Sequence, residues 1–166
     1  MSLKNLSVKI KIPRVLKNKL NNKKISQIYK KFAKSISINE NFVVAVSGGP
    51  DSLALAFLSK IYSIQKNLKA KFYIIDHKLR SESTNEAKYV KKILNKFQIN
   101  AQILYWQGIK PKSNIQSVAR TKRFELLISE CKKLGVTYML LGHHQEDLFE
   151  NFFIRILRGS GLKGLI

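Results

Sequence analysis

Acidic residues are scarce in this chain. Ten Asp and Glu stand against 31 Lys and Arg in 166 residues, a formal charge of +21. The imbalance favours an anionic partner and salt-sensitive association, although a general enrichment in Lys, Ile and Asn produces the same surplus. Cysteine is represented by Cys131 alone. This excludes an internal disulfide and a cysteine-rich metal centre. Its place in a helical pattern behind Leu126, Leu127 and Ile128 reads as a buried, inert thiol rather than a nucleophile. No apolar run approaches the ~18 residues of a membrane helix, and no short apolar stretch of a secretory signal opens the chain. The expectation is a soluble, cytoplasmic protein with no membrane partner. Arginine occurs six times and aspartate three times. Asp51, Asp76 and Asp147 each follow an apolar run that reads as a strand.

The length suffices for one core, since a chain of this size buries ~70% of its unfolded surface. Residues 1–40 carry eleven basic side chains and one acid, Glu40. Within them Ile25, Ile28, Tyr29, Phe32 and Ile36 recur at helical spacing, predicting one amphipathic helix behind a basic leader. From residue 42 strands and helices alternate. Strands are predicted at 42–46, 72–76, 101–106 and 136–141. Helices are predicted at 52–63, 82–97, 113–134 and 145–157, with Gly135 as a stop signal. The alternation implies an α/β fold, a doubly wound parallel sheet with helices on both faces. In such folds the site lies at the carboxyl ends of the strands, where the three aspartates fall. Two regions follow: the basic leader and helix at 1–40, and an α/β domain at 41–166.

The strongest motif is Ser47-Gly48-Gly49-Pro50-Asp51-Ser52, between the first strand and its helix. Glycines permit unusual dihedrals and close backbone approach. A helix N-terminus with its N–H groups favours an anion, and Ser47 and Ser52 add hydroxyl donors. Asp51 would repel a phosphate unless a cation stood between them, which implies Mg2+. A plain turn with a helix cap offers the competing reading. The loop is not the G-x-x-x-x-G-K-[ST] type, because no Lys follows. Asp147 and Glu150 stand three apart and share one helix face. Such a pair suits an ammonium group, or complements a helix dipole.

The six-residue string resembles the signature of the N-type ATP pyrophosphatases, the PP-loop family. Three further segments resemble those of the lysidine synthetases within it: Asp76-His77-Lys78-Leu79-Arg80; Asn114-Ile115-Gln116-Ser117-Val118-Ala119-Arg120; and Gly142-His143-His144-Gln145-Glu146-Asp147-Leu148-Phe149-Glu150. Arg158-Gly159-Ser160-Gly161 completes the set. The resemblance covers about residues 42–166, and Asn151 stands where those enzymes commonly carry Thr.

The resemblance implies ATP cleavage between the α and β phosphates and ligation of free L-lysine to C2 of the wobble cytidine of tRNA(Ile) with a CAU anticodon. It implies ATP and Mg2+ as cofactors and suggests a homodimer. Ser47, Gly48, Gly49, Pro50, Asp51, Ser52 and Arg120 would bind ATP, with Asp51 also near the metal. Asp51 and His144 would be catalytic, Asp147 and Glu150 would bind lysine, and Arg155 and Arg158 would contact tRNA. Family members usually continue past this point, so the domain at 41–166 is expected to be C-terminally incomplete. The rival readings are a PP-loop tRNA thiolation enzyme, an ammonia-using amide synthetase, and a truncated ATP-binding module without turnover. The lone Cys131 disfavours thiolation chemistry that uses paired cysteines or iron–sulfur ligands.

Overall fold

The computed structural model describes residues 11–142. Four strands form one parallel sheet: β1 (Phe42–Val46), β2 (Ala70–Asp76), β3 (Ala101–Tyr105) and β4 (Tyr138–Leu141), in the order β3-β2-β1-β4. Their crossovers are the helices α3 (Pro50–Gln65), α4 (Ser83–Lys96) and α5 (Ile115–Leu134). Every residue of β1 is buried, as an unbroken apolar run between two covered faces requires. Period-two alternation divides the core. Phe42, Val44, Val46, Phe72 and Ile74 pack with α3 and α4 on one face. Val43, Ala45 and Tyr73 pack with Leu127 of α5 on the other. The doubly wound expectation therefore holds.

Local chemistry sets the helix ends. Gly49 caps α3 and Pro50 occupies its first turn, where a missing N–H costs nothing. Gly135 ends α5 at φ 61°, with the Gly135 and Val136 N–H groups returned to the Lys132 and Cys131 carbonyls. Val136 is thus part of the helix stop, and β4 begins two residues later than the apolar run suggested.

The N-terminal reading requires two corrections. One helix was expected, but two are present: α1 (Arg14–Leu20) and α2 (Lys23–Ser35). Leu16 of α1 is fully buried in the same cluster as Phe42 and Ile61, so part of the basic leader contributes to the core. The expected apolar face of α2 holds at Tyr29, Phe32 and Ile36 and fails at Ile28. Tyr29 is buried and donates to Gln65 Oε1 at 2.6 Å, whereas Ile28 is 56% exposed. Cys131 is half-buried on the α5 face rather than fully buried. Burial, then the charge of Glu130, pushes its thiol pKa up, so it is a poor nucleophile. On the same face the Tyr73 hydroxyl donates to Glu130 Oε2 at 3.0 Å and pins α5 to the sheet. Among the described residues no helix is long and apolar enough to cross a membrane.

Candidate active site

The strand order reverses beside β1, because β2 lies on one side of it and β4 on the other. The loops leaving the carboxyl ends of β1 and β4 part there, and a ligand crevice opens at such a switch point. The structure has a cleft of ≈ 320 Å³ at this place. Ser47 and Ser52 line it from the β1–α3 loop, His77, Leu79 and Arg80 from the β2–α4 loop, and Val90 from α4. Arg123 of α5 and Gly142 after β4 close it.

The two loop glycines have different reasons to be glycine. Gly48 has φ 93°, and a Cβ there would meet Val90 Cγ2 at 2.6 Å; both conformation and space demand the bare backbone. Gly49 has φ −69° and ψ 161°, which any residue adopts. A Cβ on Gly49 would meet only Ser47 Oγ, at 3.9 Å. Neither conformation nor space therefore requires glycine at 49, although glycine is a favoured N-cap residue. A bare backbone there leaves the N-terminus of a sixteen-residue helix open to a group from outside. That position suits a phosphate.

Ser52, expected as a hydroxyl donor, is held within the loop's own hydrogen bonds. It is 2% exposed. Its Oγ accepts from the Ser47 N–H (3.2 Å) and the Gly48 N–H (3.1 Å), lies 3.1 Å from Ser47 Oγ, and donates to the Gly49 carbonyl (2.9 Å). It staples the loop to the first turn of α3. Ser47, Gly49, Pro50 and Asp51 are exposed around it. Gly142 packs against the same turn: a Cβ there would stand 2.8 Å from Ser52 Cα and 2.9 Å from Ser52 N. This contact locks the end of β4 onto the loop, and it makes Gly142 a site-building residue whose reason no sequence pattern displayed.

Asp76 resolves in favour of structure. It is 1% exposed. Its Oδ1 accepts from the Lys78 N–H (2.8 Å) and Ser83 Oγ (2.7 Å), and its Oδ2 from Thr84 Oγ1 (2.6 Å). It fixes the β2–α4 loop to the start of α4. Burial pushes its pKa up, but the bonds from Thr84, Ser83 and the Lys78 amide outweigh it, and the net shift is downward. A depressed folded pKa contributes stability that is present above the ordinary value of about 4 and is lost as pH falls through the folded one. Asp76→Ala is expected to cost about 1.5–3 kcal/mol at neutral pH and to flatten the acid limb of a Tm-against-pH profile. An unchanged acid limb would remove this assignment.

Opposite the loop, burial and then the charge of Arg123 push the His77 pKa down, which holds the ring neutral at pH 7. His77 Nδ1 and Arg123 Nε are both buried without a hydrogen-bond partner among the described residues. Arg120 is exposed on α5 and is not among the residues lining the cleft; Arg123, one turn later, is. Arg123 was missed because its pattern is an ordinary helical one and only packing turns it inward. His144, Asp147, Glu150, Arg155 and Arg158 lie outside the described residues.

Residues 18–166 match the family model described as the PP-loop domain. The chain belongs to the PP-loop family. The β1–α3 loop carries the string that resembles this family's signature. Among similar proteins, the tRNA(Ile)-lysidine synthase of Orientia tsutsugamushi (strain Boryong) is 43% identical over 127 residues, covering 76% of this chain and 29% of that protein. That of Bradyrhizobium diazoefficiens is 37% identical over 125 residues, covering 74% of this chain and 35% of that protein. This PP-loop chain therefore spans about a third of the length of the curated relatives it matches. The U34-tRNA thiolase NcsA from Methanococcus maripaludis superposes with a TM-score of 0.71 at 18% identity, covering 86% of this chain and 53% of that one. At that identity the likeness shows the fold alone.

Proposed function

We propose that this PP-loop chain is the ATP-using part of a tRNA(Ile)-lysidine synthase, which adenylates the wobble cytidine of a CAU anticodon and joins free lysine to it. The observation that carries ATP use is the bare, exposed backbone of Gly49 at the N-terminus of α3, between the cleft-lining Ser47 and Ser52. The lysidine relatives support the choice of substrate within the family.

In this reading the exposed PP-loop backbone from Ser47 to Ser52 takes the β and γ phosphates. Arg123 in the cleft wall and Arg120 on the same helix supply positive charge to them. Mg2+ fits one carboxylate plus phosphate oxygens. Asp51, exposed in the first turn of α3, has the chemistry to hold it, and the ion would offset phosphate charge. The ligand set is incomplete from protein alone, since no group of three His, Cys, Asp or Glu that could hold a metal occurs among the described residues.

The chemistry follows from leaving groups. A cytosine carbonyl oxygen leaves poorly. Attack of O2 on the α phosphate expels pyrophosphate and makes AMP the leaving group. The lysine ε-amine then adds to C2 and AMP departs. Free lysine amines have pKa near ~10.4, so the reacting nitrogen must lose its proton in the site. A carboxylate beside it would favour the ammonium form. Asp147 and Glu150 are accordingly assigned to the α-amino end of lysine or to acceptance of the reacting proton, with His144 positioning a reacting group. Arg155 and Arg158 contact tRNA, and the active unit is a homodimer, as the resemblance suggests.

Asp147→Ala tests the lysine assignment. It is expected to lower lysine incorporation at least tenfold more than ATP-pyrophosphate exchange, because adenylation precedes lysine attack. Equal loss of both reactions would sink it.

A further inference from the structure

We propose that Tyr105, Lys78 and Lys110 form a docking platform for a single-stranded RNA segment at the rim of the cleft. The proposal rests on the tRNA-modifying reading above and deepens it by naming where the RNA is held. β3 is an edge strand, and its last residue, Tyr105, is the register partner of Asp76. The ladder runs one bond further, from the Trp106 N–H to the Asp76 carbonyl at 2.9 Å. Two aromatic residues and the β2–α4 loop therefore end together beside the cleft. Tyr105 is 38% exposed, and Lys78 Nζ lies 5.0 Å from its ring centroid. Lys110 Nζ lies 3.8 Å from the Trp106 centroid and donates to the Trp106 carbonyl at 2.9 Å. Trp106 in turn meets His77 of the cleft wall edge-on, with centroids 6.3 Å apart.

The charges on this rim point to a phosphate. Lys78 and Lys110 each stand over an aromatic ring at the end of β3, and burial and then the charge of Lys78 push the Lys110 pKa down. Neither forms a salt bridge among the described residues. The acid nearest in effect is Asp76, whose oxygens are already occupied by three donors. From residue 87 to 124 the chain has nine Lys and Arg and no acid. A phosphate taken up by Lys78 and Lys110 places its attached base beside Tyr105, and the exposed part of that ring offers a stacking surface. A phosphate next to an aromatic ring is the pattern of single-strand recognition. Duplex RNA would offer the phosphates without an unstacked base.

The test is binding of an RNA hairpin with a CAU-containing loop to the 166-residue chain across a salt series. Trp106, the only tryptophan, gives a fluorescence signal, and ATP affinity is measured in parallel. Lys78 has φ 49°, so Asn is the replacement that keeps its backbone. Lys78→Asn with Lys110→Gln is expected to weaken hairpin binding about tenfold or more and to reduce the log–log salt slope by about 2, with ATP affinity retained. Tyr105→Leu is expected to lose about tenfold or more, and Tyr105→Phe to retain binding. Hairpin affinity and slope unchanged in the lysine double variant overturn the platform and leave the enzymatic reading intact. ATP weakened as much as RNA assigns the lysines to the nucleotide and also overturns it. A wild-type chain that binds no hairpin overturns the platform together with the tRNA reading.

Discussion

Gly142→Ala is expected to abolish most ATP-dependent activity, although residue 142 need touch no substrate. The added methyl would stand 2.8 Å from Ser52 Cα, 2.9 Å from Ser52 N and 3.2 Å from Asp51 C. All three are backbone atoms in the first turn of α3, so no side chain can swing aside. Either the end of β4 backs away from β1 or the turn carrying the PP-loop tilts. Overpacking of this kind costs about 1–3 kcal/mol. A displacement of about 1 Å at the phosphate site costs about 10²-fold in rate. Gly49→Ala supplies the contrast. Its methyl meets nothing nearer than 3.9 Å and its backbone already suits alanine, so stability should fall only by the poorer N-cap, about 1 kcal/mol or less, while ATP affinity falls. Thermal melts and ATP titrations of both variants separate the two causes. Equal melting temperatures for Gly142→Ala and wild type would contradict the packing account.

Ser52→Ala is expected to loosen the PP-loop before any ligand arrives. The Ser52 hydroxyl receives the Ser47 and Gly48 amides and returns a bond to Gly49. Removing it leaves two backbone donors without their partner, and such loss costs about 1–3 kcal/mol. For a protein of this size that is a fall in Tm of about 2–4 °C per kcal/mol. If Ser52 acted only as a phosphate donor, the substitution would weaken ATP binding and leave the ligand-free Tm unchanged. The structure predicts that both fall.

The parts of this molecule that were legible in the sequence are those governed by local rules. The apolar run Phe42–Val46 could only be a strand covered on both faces, and Gly135 could only end a helix in that position. The order of strands and glycine loop then placed the site at the carboxyl ends. What escaped depends on packing between distant segments. Leu16 lies in a basic stretch with Arg14, Lys17 and Lys19, and its burial shows only when α1 meets the core. Ile28 is more hydrophobic than its neighbour Tyr29, yet tertiary contacts bury the tyrosine and expose the isoleucine. Asp76 had the same strand-end context as Asp51, and only its three donors mark it as structural. Arg123 took its place in the cleft by the same logic, because helix phase relative to the sheet is not written in a basic residue at regular spacing.

The central claim is that this PP-loop chain serves lysine ligation to a CAU anticodon. The most direct measurement is transfer of labelled lysine into tRNA(Ile) with a CAU anticodon, with AMP release followed in the same reaction and an intact lysidine synthase run alongside. The account predicts lysine-dependent label in the tRNA, one AMP per lysine joined, and loss of both with Gly142→Ala. AMP formed in step with a different tRNA modification, and no lysine joined while the intact enzyme joins it, would contradict the account.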